Sequence, residues 1–124
     1  MDRYDAEFEV EGLREDVEIL VDRWGVPHVY AASRDDVYLA QGFNAARDRL
    51  FQIDLWRRRG NGLLSEVLGK AFVEQDRANR LFRYRGDMRT EWLAYGTATR
   101  AVVTAFTRGS SITPRTCSFS IKSV

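Results

Sequence analysis

The segment from Ser33 to Gly62 constrains the fold more than any other part of this 124-residue chain. Leu39, Phe43, Ala46, Leu50 and Ile53 recur at helical spacing and make one apolar stripe. Ser33 stands where a helix cap belongs. Asp35 and Asp36 face the positive end of the helix dipole, and Arg57, Arg58 and Arg59 suit its negative end. Gly60-Asn61-Gly62 is a stop signal. The pattern predicts one long helix from Arg34 to Arg59, whose stripe must be covered by a sheet or by other helices. Gly42, inside that helix, predicts close packing against a neighbouring element.

The N-terminal part carries β signals. Glu7 to Leu13 is an acidic alternating segment, and Val17-Glu18-Ile19-Leu20-Val21-Asp22 is rich in β-branched residues. Arg23-Trp24-Gly25-Val26-Pro27 supplies turn chemistry before a second short strand, His28-Val29-Tyr30-Ala31. The expected hairpin is marginal by itself and needs a larger sheet or a helix on its apolar face.

Beyond the long helix, Leu63 to Leu68 reads as a short helix stopped by Gly69. Residues 72–85 read as helix with Phe72, Val73, Leu81, Phe82 and Tyr84 mostly on an apolar face, followed by a weak break at Gly86-Asp87. Met88, Trp92, Leu93 and Tyr95 continue to Gly96. Thr97 is then expected to cap a last helix carrying Ala101, Val102, Ala105 and Phe106 up to Gly109. The reading is an α+β chain, a β-hairpin followed by a mostly helical segment.

Composition shifts at Gly109. Residues 1–109 contain two serines, Ser33 and Ser65, whereas 7 of the last 15 residues are Ser or Thr. The chain therefore divides into 1–109 and an atypical tail, 110–124, expected to be poorly ordered or a weak strand.

With 44% hydrophobic and 30% charged residues, the chain has a globular composition. It lacks an apolar run of the length a membrane span requires. Its start has no basic residues leading into an apolar stretch, so cytoplasm is the expected location for the chain as written. One cysteine, Cys117, and one histidine, His28, exclude a disulfide framework and paired-histidine metal motifs. Residues 1–22 carry a net −7 and residues 23–109 a net +6. Opposed halves of this kind are expected to neutralise each other within one fold.

The reactive inventory is thin. His28 follows Pro27 in an apolar strand and reads as a structural, hydrogen-bonded residue. Ser33 reads as a cap and Ser65 as a solvent-facing helix residue. Asp35 with Asp36 could bind a metal, but helix-start electrostatics accounts for both. Asp54 with Arg58 has the i,i+4 spacing of an intra-helix ion pair, and Asp48 lies beside Arg47 and Arg49. Cys117 has no neighbouring base. Trp56 before Arg57-Arg58-Arg59 raises nucleic-acid binding, but helix capping and pairing with the acidic N-terminal strands explain the arginines without it.

The string Val17-Glu18-Ile19-Leu20-Val21-Asp22-Arg23-Trp24-Gly25-Val26-Pro27-His28-Val29-Tyr30-Ala31 resembles the opening of the penicillin amidase (penicillin acylase) family. Ala40-Gln41-Gly42-Phe43 and Ala46-Arg47-Asp48-Arg49-Leu50-Phe51-Gln52-Ile53-Asp54 resemble its first long helix. Arg57-Arg58-Arg59-Gly60, Ser65-Glu66-Val67-Leu68-Gly69-Lys70-Ala71-Phe72-Val73, Asp76-Arg77 and Arg80 continue in order. The resemblance covers about residues 7–109.

The resemblance implies an N-terminal-nucleophile hydrolase with a four-layer αββα core, cleaving linear amides such as penicillins or N-acyl-homoserine lactones. Such enzymes are made as one precursor that cuts itself into α and β chains. The serine that begins the β chain is the nucleophile, its own amine the base. The matching part here is only the beginning of the α chain. It therefore implies no catalytic residue, no cofactor-binding residue and no metal ligand in this sequence; the calcium of some relatives is held by later residues. The implied partner is the β chain of the same precursor, with neither nucleic acid nor membrane, and intact relatives are often periplasmic or secreted.

Thr104-Ala105-Phe106-Thr107-Arg108-Gly109 fits the family pattern, and Ser110 onward departs from it. A frameshift or similar error after codon 109 is the expected cause. The resulting expectation is a truncated acylase, inactive alone. The alternatives are a small interaction or regulatory protein on an acylase scaffold and, less favoured, a nucleic-acid-binding helical module.

Overall fold

The computed structural model describes residues 6–10, 12–111 and 118–123. The chain forms β1 (Ala6–Glu9), β2 (Val17–Val21), β3 (Pro27–Tyr30), α1 (Arg34–Asn61), α2 (Ser65–Leu68), a 3-10 turn at Lys70–Phe72, α3 (Val73–Phe82), α4 (Met88–Ala94), α5 (Thr97–Ser110) and β4 (Ser118–Ser123). It divides into two compact units. One holds Met1–Asp48 and Tyr95–Val124, the other Arg49–Ala94. Among the described residues no helix is long and apolar enough to cross a membrane.

The first unit is built on a four-stranded sheet of order β1-β4-β2-β3. The expected hairpin is present, with Ile19 opposite Val29 and Leu20 opposite His28 in antiparallel register. Its turn is organised by a residue the sequence reading placed at the end of the strand. One carboxylate oxygen of Asp22 accepts from the Trp24 and Val26 amides, both at 2.9 Å. Gly25, at φ +79°, closes the loop by donating to the Asp22 carbonyl at 2.9 Å.

Of the two readings of the tail, the strand is the one found over Ser118–Ser123. β4 runs antiparallel to β1 and parallel to β2, with Ile121 in register with both Ala6 and Ile19. Residues 112–117, with Cys117 among them, lie outside the described residues.

One core cluster joins this sheet to the helices. Val17, Ile19 and Ile121 pack with Val10, Leu39, Ala40 and Ala105, all buried, and Phe8 meets Phe43 at 5.4 Å between ring centroids. The approach of α1 to α5 depends on glycine. A Cβ on Gly42 would run into the Phe106 carbonyl, and one on Gly109 into the Leu39 carbonyl. The close packing expected at Gly42 is thus a backbone-to-backbone contact. Ser33 caps α1 as expected, accepting from the Asp36 amide at 3.1 Å.

Three expectations are corrected. The long helix is not one uniform rod with one buried stripe: Arg49 leaves helical geometry at φ −137°, ψ 20°. Leu39 is buried, whereas Leu50 is 61% exposed, so the stripe is satisfied only before the break. Helix α3 ends at Phe82 because Arg83 turns extended, and Leu81 and Phe82 face solvent instead of an apolar layer. Thr97 is the first residue of α5 rather than its cap; Gly96 takes that place without a side-chain bond.

Replacing Gly42 by Leu is expected to lower the stability of the first unit by about 1–3 kcal/mol, the usual cost of forcing atoms into a filled core. A urea titration of the helical signal measures it, with the solvent-facing Gln41→Leu as control.

Candidate functional site

Among the described residues the two buried carboxylates, Asp36 and Asp76, are both bound by the chain. Asp36 is 1% exposed; its Oδ1 accepts from the Arg14 amide at 3.0 Å and its Oδ2 from the Ser33 hydroxyl at 2.7 Å. Asp35 pairs with Arg14 at 2.7 Å. The two acids at the α1 start therefore anchor the loop before β2 and do not share a ligand. Among the described residues no group of three or more His, Cys, Asp or Glu side chains could hold a metal ion.

His28 is exposed, and its Nε2 meets Asp22 Oδ2 at 3.1 Å. The Asp22 carboxyl is held below its ordinary range, first by the Val26 amide and then by His28. The pair fixes the hairpin turn. Ser33 points its hydroxyl at Asp36 instead, so the structure does not assemble a Ser–His–Asp arrangement from these residues.

The second unit is organised by Asp76, to which the sequence reading gave no role of its own. Its two carboxylate oxygens accept from the Leu64 and Ser65 amides at 2.9 and 2.7 Å, at the start of α2. Burial pushes this carboxyl up, but hydrogen bonds from Ser65 and Leu64 and the nearby Arg80 charge outweigh it, and the net shift is downward. Ser65 is thus half-buried and held, not solvent-facing.

From the same helix, Asn79 donates to the Arg59 carbonyl at 2.9 Å and Arg80 to the Gly62 carbonyl at 2.9 Å. Gly62, at φ +66°, completes a Schellman cap in which Leu63 donates to Arg58 and Gly62 to Arg59. The i, i+3 and i+4 spacing of Asp76, Asn79 and Arg80 was the available signal for this clamp.

The arginines at the end of α1 are engaged as well. Arg58 reaches Asp54 at 2.7 Å, the expected i,i+4 pair, and Glu66 at 3.0 Å. Arg57 also bonds Asp54 at 2.7 Å, and Arg59 lies 5.4 Å from the Trp56 ring centroid. Arg57 and Arg58 thus have partners within their own unit, Asp54 at i,i+3 and i,i+4 spacing and Glu66 at the start of α2.

Large apolar side chains of the second unit lie in the open. The second unit exposes Phe51, Trp56, Leu81, Phe82 and Met88, each by two thirds or more of its surface. A shallow cleft of about 230 Å3 beside Trp56 is lined by Leu55, Arg59, Leu64, Leu68, Phe72 and Gln75. A surface of this kind suits contact with other polypeptide better than chemistry on a small molecule.

Comparison with known proteins agrees with this architecture. The Penicillin amidase family model matches residues 16–111. Penicillin acylase 2 proenzyme of Pseudomonas sp. (strain SE83) is 35% identical over 100 residues, covering 81% of this chain and 13% of that protein. Penicillin G acylase of Escherichia coli is 40% identical over 62 residues, covering 50% and 7%. Among solved structures, a thermostable penicillin G acylase from Alcaligenes faecalis aligns with a TM-score of 0.65 and 33% identity, over 76% of this chain and 50% of that one. The fold is thus an α+β piece of the acylase type, a small sheet with helices. The chain belongs to the penicillin amidase family, and it spans about an eighth or less of the length of these two curated relatives.

Asp76 generates a pH prediction. Its folded value lies below the ordinary 3.8, so its contribution is complete above that value and is lost as pH falls through the folded one. Amide exchange at Leu64 and Ser65, taken relative to its intrinsic rate at each pH, is expected to become faster as pH falls below the ordinary carboxylate value in the wild-type chain. In Asp76→Asn it is expected to be fast already at neutral pH.

Proposed function

We propose that this chain is the opening part of the α chain of an N-terminal-nucleophile amide hydrolase. It is a scaffold segment that does no chemistry by itself. Its strands and helices belong to a four-layer αββα core, most of which is carried by other sequence. The nucleophile is the serine that begins a β chain from the same precursor, and the reaction is hydrolysis of a linear amide in a penicillin, an N-acyl-homoserine lactone or a related N-acyl compound.

The observation that carries this reading is the family match over residues 16–111. It is supported by the small share of the Pseudomonas proenzyme that the aligned region covers. The engagement of Ser33, His28, Asp22, Asp36 and Asp76 in caps and turns supports a structural role. The departure after Gly109 fits a frameshift in the gene, and translating the other two frames beyond codon 109 tests that; neither frame giving an acylase-like continuation would count against it.

The assay is direct. The pure chain is expected to release no acid above background from penicillin G or an N-acyl-homoserine lactone. Saturable turnover by the pure chain would overturn the proposal.

A further inference from the structure

We infer that the slot between β1 and β2 is a strand-acceptor site that this chain fills with its own tail. The occupant it fits is an extended segment from the remaining length of an acylase, laid parallel to β2. This rests on the proposed function for the identity of the partner, but not for the existence of the slot.

The family match runs from residue 16 to residue 111. Of the four strands, only β2 and β3 lie inside it. A two-stranded hairpin is marginal in water and leaves one edge of β2 with unpaired amides and carbonyls. The acylase scaffold must therefore bring the next strand from sequence outside the matched region.

In this chain β4 takes that place, although it lies beyond the match. It is an interior strand, with Ser118–Ile121 opposite β1 and Phe119–Ser123 opposite β2, and among the described strands it is the one that lies between β1 and β2. Its contribution to the core is Ile121, 4% exposed, in register with Ile19 and packed in the same cluster as Val17 and Ala105. Main-chain pairing of this kind is indifferent to most side chains. The slot therefore selects an extended backbone with an apolar residue at the Ile121 register.

The test uses the full chain. Ile121→Asp is expected to speed amide exchange over Val17–Val21 by about tenfold or more by opening the slot. A millimolar synthetic peptide of sequence Ser-Phe-Ser-Ile-Lys-Ser restores protection, and the same peptide with Asp for Ile does not. Should Ile121→Asp fail to fold, Ser120→Pro removes a backbone donor from the slot while keeping Ile121, and the same two peptides are applied. Unchanged exchange in the variant, restoration by both peptides, or restoration by neither would overturn the slot.

For the partner, the wild-type chain is mixed with the Pseudomonas proenzyme sequence that follows its aligned region, expressed separately. The expected signature is fast exchange over Ser118–Ser123 with retained protection over Val17–Val21. Retained protection of both strands, or dimers formed by exchanging β4 between copies, would overturn this occupant. Exchange is read without any turnover, so a failed acylase assay leaves this result standing.

Discussion

Two glycines set how closely α1 and α5 can approach in the first unit. Gly42 lies against the Phe106 backbone and Gly109 against the Leu39 backbone, where any side chain would collide. That approach brings Leu39, Ala40 and Ala105 into one cluster with Val17 and Ile19 of the sheet. The residues in the cluster are small or medium in size, so its packing relies on short distances rather than on bulk. Close-packed interiors lose contact energy quickly when helices are held apart.

The second unit is held in a different way. Here Asp76, Asn79 and Arg80 satisfy backbone groups at the end of α1 and the start of α2. Polar clamps of this type fix the path of the chain without burying much apolar surface. Phe51, Leu81 and Phe82 are correspondingly left in water. Such exposure is costly for a free-standing protein and ordinary for a part that will be covered by more polypeptide.

The same division explains why no reaction can be read from individual residues. Serine, histidine and carboxylate groups of the kinds that hydrolases use are present, but Ser33, His28, Asp22, Asp36 and Asp76 are committed to caps and turns. Ser33 serves Asp36, and His28 serves Asp22. Family membership rests on the match over residues 16–111, and the engaged polar groups hold the local fold.

Much of this was legible in the sequence. The hairpin, the Ser33 cap, the Asp54–Arg58 pair, the close approach at Gly42 and the family all follow from local spacing and from strings that stay within a few turns of chain. Other features needed distant residues. The break at Arg49, the Asp76 clamp and the exposure of Leu50 depend on which neighbours are present to compensate a helix face or a backbone amide. The sequence by itself determined the hairpin, the placing of most helices and the family, because caps, turns and periodicity act over a few residues. Only the tertiary structure decided that β4 lies between β1 and β2, because strand pairing is a contact between segments about a hundred residues apart.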